Sequence, residues 1–330
     1  MQIDQAVANE ATGEAAEQDC EERCSARRGR RKRREWAVGG RIRHAVIVDA
    51  SLDYSLDDSL DDSLEDSLDD SPTTPSLMSA RFLAVRAVVV IPTYNEAQTI
   101  EAIMRGVRAA APGVGILVVD DNSPDGTADL AEKIGAAVGD AQVLRRPAKS
   151  GLGGAYRAGM RQAIDGGAEI CVQMDADYSH DPVYLPALLS AVEHGVDLAM
   201  GSRYVPGGVT ADWPASRRRL SRWGNRYAAG VLGLAINDAT GGYRAYSAAA
   251  LEHKMQFETI RTQGYGFQVE MTHRLVRAGG SIVEFPITFR DRTAGSSKMS
   301  QNIISEAFVL VLKLWVQDRR GRRERRLSGM

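Results

Sequence analysis

Short apolar runs alternate with longer amphipathic stretches from Arg86 onward. Ala87-Val88-Val89-Val90-Ile91 is continuously apolar, as expected of a strand buried on both faces, and Pro92 stops it. Ala97 to Ala110 has helical composition. Ile116 to Val119 predicts a second strand, Ala128 to Ala137 a helix, and Val143-Leu144 a short third strand. Gly151 to Gly166 reads as a glycine-rich entry into a helix. Ile170-Cys171-Val172 is the fourth strand, followed by a helix near Pro182 to His194. Asp197 to Met200 is the fifth, ending at Gly201-Ser202-Arg203-Tyr204. Strands alternating with helices predict an α/β chain with a mostly parallel, Rossmann-like sheet and right-handed crossovers.

The first 80 residues break this pattern. A four-residue unit recurs there as SLDD, SLDD, SLED, SLDD between Ser55 and Asp70. One leucine per unit buries too little to offset chain entropy, and the acids repel one another, so residues 1–80 are expected to be a disordered, low-complexity extension. Met78 lies just before the first good strand, so the segment is either dispensable or the product of a start placed too far upstream. The expected division is 1–80 extension, 81–300 catalytic domain and 301–330 amphipathic helix with a basic tail.

Composition narrows the class. Of 330 residues, 44% are apolar and 25% charged, which is ordinary for a globular protein. The net charge of -2 gives no global field to recruit nucleic acid, although Arg27 to Arg34 is a basic run. Three cysteines make no disulfide framework, and Cys171 belongs to an apolar strand. No stretch of about 18 uninterrupted apolar residues occurs, so no transmembrane helix is expected.

The chemistry sits where the strands end. Asp175-Ala176-Asp177 follows the fourth strand. At a strand's end an Asp-x-Asp points both acids the same way, because side chains at i and i+2 share a face. Two converging carboxylates suit a hard divalent ion that also holds a diphosphate, although a bare Asp-x-Asp also occurs in solvated turns. Tyr94 to Glu96, Asp120 to Asp125 and Arg203 end three other strands, and ligands of such sheets bind beyond the carboxyl ends. Gly151-Leu152-Gly153-Gly154-Ala155-Tyr156 lacks the third glycine of a dinucleotide fingerprint, and no P-loop occurs. These glycines suit either tight packing at a helix start or a place beside substrate.

Val90-Ile91-Pro92-Thr93-Tyr94-Asn95-Glu96, Asp120 to Thr127 and Met174-Asp175-Ala176-Asp177 together resemble family 2 glycosyltransferases of the GT-A fold. Gly201 to Tyr204, Ala239 to Tyr246, Asp291-Arg292 and Ser297-Lys298 are similar to dolichyl- or polyprenyl-phosphate mannosyltransferases. The resemblance covers roughly Val88 to Met299. It implies inverting transfer of mannose from GDP-mannose to polyprenyl phosphate. Pro92, Tyr94, Glu96, Val119 and Asp121 would hold the nucleoside. Asp175, Ala176 and Asp177 would meet the donor diphosphate, the two acids through Mg2+ or Mn2+. Arg203 would face the phosphates, Arg217 and Ser221 the acceptor phosphate, and Arg292 and Lys298 would close over the donor. Some relatives carry a glutamine ligand where this chain has Ser179, followed by His180, so a third metal ligand stays open. A glucosyl or other sugar donor, or a catalytically silent scaffold on the same fold, is the alternative.

An acceptor phosphate is already an anion, so the absence of an obvious general base fits this chemistry. Trp213 and Trp223 flank an arginine cluster, and Arg217 to Leu234 reads as an amphipathic helix. Gln301 to Val316 is broadly helical in spacing and too short to span a bilayer, and Arg319 to Arg326 is basic. A peripheral protein on the inner face of the cytoplasmic membrane is therefore expected, with a membrane-embedded partner implied by the resemblance. The plainer alternative is a core-packing helix with a solvated tail.

Overall fold

The computed structural model describes residues 86–291 and 308–320, and the strand pair formed by residues 46–47. The elements in chain order are β1 (Val46–Ile47), β2 (Ala87–Thr93), α1 (Ile100–Ala110), β3 (Gly115–Asp120), α2 (Thr127–Val138), β4 (Ala141–Arg145), α3 (Leu152–Asp165) and β5 (Ile170–Gln173). A 3-10 turn, Pro182–Tyr184, leads into α4 (Leu185–Glu193), then β6 (Leu198–Ser202), β7 (Val209–Thr210) and α5 (Ala215–Leu232). After β8 (Arg244–Ser247) come α6 (Gly264–Arg277), β9 (Ile282–Pro286), β10 (Thr288–Phe289) and α7, residues 308–320.

Among the described residues, eight strands form one sheet in the order β1-β9-β6-β8-β5-β2-β3-β4. Every pairing is parallel except those of β8, which runs antiparallel to both β5 and β6. The five expected strands all form, and β8 and β9 are added. The α/β class and its mostly parallel sheet hold. The first strand pair, Val46–Ile47, lies within the segment expected to be disordered and pairs with β9.

β2 and β3 are interior strands covered on both faces, as their apolar runs require: Val88 to Ile91 and Ile116 to Val119 have no exposed surface. One core packs on each side. On one, Ile100, Ile103, Met104 and Val107 of α1 form an i, i+3, i+4, i+7 stripe against Val89 and Val118. On the other, α3 packs on Val90 and Val119, and Gly159 permits it. A Cβ at Gly159 would stand 2.7 Å from Val119 Cγ2 and closer still to Val90 Cγ1. Burial of this kind is worth roughly 25 cal/mol per Å² of apolar surface.

β8 escaped notice because its first residue is a buried arginine. Arg244 has no exposed surface. Its guanidinium donates to the carbonyls of Ala239, Gly241 and Gln268 and to Thr272 Oγ1. The described part of the C-terminal helix packs on the core, as the plainer alternative expects. Val311 and Leu314 of α7 enter the core beside α6, and Asp318 accepts from His273 and Arg277. Val309, Leu312 and Val316 remain exposed.

Candidate active site

The carboxyl ends of β2, β3, β5 and β6 open onto one cavity of about 880 Å³. Pro92 lines it from the end of β2, Tyr94 and Glu96 from the loop that follows, Asp121 from the end of β3, and Asp175, Ala176 and Asp177 from the loop after β5. Arg203 lines it from the end of β6 and Arg217 from α5. The separate loops named from the sequence therefore do converge. Two expected residues do not reach the described wall. Val119 faces the core against Gly159, and Ser221 Oγ accepts from the Tyr204 hydroxyl at 2.7 Å. Arg292 and Lys298 lie outside the described residues.

The neighbouring acids Asp120 and Asp121 divide their work. Asp120 Oδ1 accepts from Thr93 Oγ1 at 2.9 Å and Ser123 Oγ at 2.6 Å, and Oδ2 accepts from the Ser123 N–H at 2.8 Å. It shapes the turn and is spent there. Asp125 stitches the same loop to its neighbour, accepting from the N–H groups of Ala97 and Thr127. Asp121 is left facing the cavity.

The acid pair is not placed by strand alternation. β5 ends at Gln173, and Asp175 and Asp177 lie in the loop beyond it. That loop is held by side chains. The Asp175 N–H donates to His180 Nδ1 at 3.0 Å, which puts the ring proton on Nε2. Asp177 Oδ1 accepts from the Ser179 N–H at 3.0 Å. Between them Tyr178 takes a φ of 62°, a left-handed conformation that a bulky residue adopts at a cost. Burial lowers the His180 pKa against the pull of the Asp175 and Asp177 charges, so the ring is neutral. It stacks on Tyr243 with centroids 4.9 Å apart.

Tyr156 occupies the place where a dinucleotide fingerprint has its third glycine. Its hydroxyl donates to Asp175 Oδ1 at 2.7 Å. Burial, followed by the Asp175 charge, pushes its pKa well above the ordinary tyrosine value, so it remains a donor. The glycines before it serve close packing. A Cβ at Gly153 would lie 2.8 Å from the Thr262 carbonyl oxygen.

Arg203 is a buried cation. Its Nε and Nη2 donate to the two oxygens of Asp238 at 2.7 and 2.6 Å, and Nη2 also reaches Thr240 Oγ1 at 2.9 Å. Burial, the largest single effect, would lower its pKa, but the Asp238 charge and hydrogen bond together with lesser contributions from Tyr204 and Tyr265 raise it. Asp238 is shifted the opposite way. Burial would raise its carboxyl, and Arg203 holds it below the usual value. The Glu284 carboxylate of β9 accepts from the Asn237 and Asp238 N–H groups at 2.8 and 3.0 Å, fixing the loop that carries Asp238. Arg217 stacks over Trp213 at 4.1 Å and pairs with Asp291 at 2.7 Å.

Tyr156, Asp238 and Glu284 were not singled out from the sequence. Neither were Arg146, which donates to Asp121, nor Lys149, which stands over the Tyr94 ring. Each acts through a partner that only the sheet register or a helix face brings near. The arrangement offers two carboxylates for a hard cation, a third acid at the far strand, and cationic side chains for an anion. Among the described residues no group of three or more His, Cys, Asp and Glu side chains is arranged to hold a metal.

The sequence model of the family described as Glycosyl transferase family 2 matches residues 88–254. An undecaprenyl-phosphate mannosyltransferase of Micrococcus luteus is 48% identical over 229 residues, 69% of this chain and 93% of that protein. A polyprenol monophosphomannose synthase of Mycolicibacterium smegmatis is 46% identical over 235 residues, 71% of this chain and 88% of its own. Among solved structures, glucosyl-3-phosphoglycerate synthase from Mycobacterium tuberculosis, in complex with Mn2+, UDP-glucose and phosphoglyceric acid, superposes with a TM-score of 0.53. It is 19% identical and covers 74% of this chain and 85% of its own. At that identity the likeness is one of fold.

Proposed function

The chain belongs to glycosyl transferase family 2, and from that premise we propose that it transfers mannose from GDP-mannose to polyprenyl phosphate with inversion at the sugar. The observation that carries this reading is the gathering of Asp121, Asp175, Asp177 and Arg203, from three strand ends, on one cavity. The names of relatives 46–48% identical support the mannosyl group and the lipid-phosphate acceptor.

In this reading Tyr94, Glu96 and Asp121 hold the nucleoside. Asp175 and Asp177 are the only protein ligands assigned to a divalent ion, Mg2+ or Mn2+, and their hard oxygen chemistry fits it. When bound, that ion neutralises the charge that develops on the departing diphosphate. Tyr156 and His180 keep Asp175 in place for it. Arg203, fixed by Asp238, and Arg217, stacked on Trp213, position the acceptor phosphate. An acceptor oxygen forms the new bond to C1, the C1–diphosphate bond breaks, and its electron pair leaves with GDP. The acceptor is already anionic, so no proton has to be removed.

The lipid has to be met at a bilayer surface. Among the described residues no helix is long and apolar enough to cross a membrane. α5 and α7 instead present a mixed face. Trp223 and Phe308 lie 5.3 Å apart, Leu220, Trp223, Val309 and Leu312 are about half exposed, and Arg218, Arg219, Arg222 and Lys313 are exposed on the same two helices. Aromatic and basic residues mixed in this way suit an anionic headgroup layer. We assign this face to peripheral contact with the inner leaflet, with a membrane-embedded partner protein as a further occupant.

Incubating the purified chain with labelled GDP-mannose or UDP-glucose, polyprenyl phosphate and Mg2+ or Mn2+ tests the proposal. Metal-dependent mannosyl lipid from GDP-mannose is the expected product. Glucosyl lipid alone would reassign the donor, and no product from either would leave the cavity without this chemistry.

A further inference from the structure

Asp121 is not a lone carboxylate in the cavity wall. Arg146, the first residue past β4, donates from Nη1 to Asp121 Oδ1 and from Nη2 to Ser150 Oγ. The Ser150 N–H reaches Asp121 Oδ2 at 3.3 Å. The register makes this unavoidable: β4 sets Arg145 against Asp120, so the next residues on the two chains fall side by side. The Asp121 and Arg146 side chains are 7% and 16% exposed. Gly154 of α3 leaves room for the arrangement, since a Cβ there would stand 2.9 Å from Ser150 Oγ and 3.3 Å from Arg146 Nη2. Tyr94 and Lys149 line the same cavity, with Lys149 Nζ 3.6 Å from the Tyr94 ring centroid.

A carboxylate has about four acceptor positions, and here one on each oxygen is taken by Arg146 or Ser150. Both oxygens are thereby anchored and each keeps capacity for another donor. Such a carboxylate suits a base with two adjacent N–H donors. Guanine offers them at N1 and the 2-amino group. Hypoxanthine offers only N1–H. Uracil flanks its single N–H with two carbonyl oxygens, which the carboxylate repels. Adenine presents an acceptor at N1.

We propose that Arg146 is a positioning residue for base choice: by fixing the Asp121 carboxylate it makes the donor site prefer guanine through the 2-amino group. This rests on the GDP-mannose reading above and extends it to a residue that does not itself touch the reacting atoms.

The test is the affinity of the full chain for GDP, IDP and UDP, measured by calorimetry with Mn2+, in the wild type, Arg146→Met and Arg146→Lys. The wild type is expected to bind GDP about tenfold to a hundredfold more tightly than IDP, the range for a hydrogen bond to a charged group. Arg146→Met should compress that ratio to about threefold or less while IDP affinity changes little, because IDP never used the lost bond. Arg146→Lys should restore part of the ratio, and it serves alone if the methionine variant does not fold. A GDP/IDP ratio unchanged in both variants, with wild-type preference for GDP intact, would overturn the inference alone. A wild type that prefers UDP to GDP would overturn the guanine reading of the donor site and this inference with it.

Discussion

Tyr156 of α3 donates its hydroxyl to Asp175 Oδ1 across 2.7 Å, tying a helix buried under the sheet to the acid loop above it. The bond fixes one of the two carboxylates assigned to the metal. Tyr156→Phe keeps the ring, which lies parallel to Phe267, and deletes only the donor. The expected cost in stability is about 1 kcal/mol. Metal affinity and transfer should fall roughly 10- to 100-fold, as when an outer partner of a metal ligand is removed. A Mn2+ titration of activity checks this. An unchanged Mn2+ dependence would show that the bond does not serve the acid.

Arg203 and Asp238 form a buried ion pair, so removing one partner strands the other. Asp238→Asn should destabilise the fold by about 3–5 kcal/mol at neutral pH. The pH dependence has a defined sign. The folded carboxyl titrates below its ordinary value, so its contribution is fully present above about pH 4 and is lost as pH falls through the lower folded value. The stability gap between wild type and Asp238→Asn, followed by denaturant melts, should therefore hold from pH 7 to about pH 4 and close below it. A gap that closes on raising the pH would contradict the assignment.

Much of the sheet was legible because β2 and β3 are apolar on both faces, and position along the chain then dictates which loops share an edge. β8 was not legible, since Arg244 heads it and its guanidinium is satisfied by carbonyls of the preceding loop and by Gln268 and Thr272 of α6. Asp175 and Asp177 line the cavity, but not through strand alternation: they lie in the loop beyond β5, where His180 and Tyr156 hold Asp175. Ser221 was carried over from the resemblance, and its hydroxyl meets Tyr204. Arg146 looks like any surface arginine until the β3–β4 register sets it beside Asp121.

Gly159 tests the packing argument. In an exposed helix, Gly→Ala would stabilise by up to about 1 kcal/mol. Here the added methyl meets Val90 and Val119, so Gly159→Ala should instead destabilise by roughly 1–3 kcal/mol. Thermal melts of the single variant decide the sign.

The proposed membrane face can be probed without touching the core. Trp223→Ser with Leu312→Ser alters only side chains about half exposed. Sedimentation with anionic vesicles should drop several-fold, roughly in proportion to the apolar area withdrawn. Solution melting should fall only by what Trp223 loses in its ring contacts with Tyr227 and Phe308, about 1–2 kcal/mol. Equal sedimentation of both proteins would remove this face from the account.

The account turns on Asp175 and Asp177 sharing one metal-bridged diphosphate with the nucleoside held at Asp121. The most direct measurement is the affinity for GDP with and without Mn2+, in the wild type and in Asp175→Asn and Asp177→Asn. Mn2+ should tighten GDP binding by about tenfold or more in the wild type, a coupling of about 1.4 kcal/mol, and by much less in either variant. GDP affinity that ignores Mn2+ in the wild type, or a coupling that survives undiminished in both variants, would contradict it.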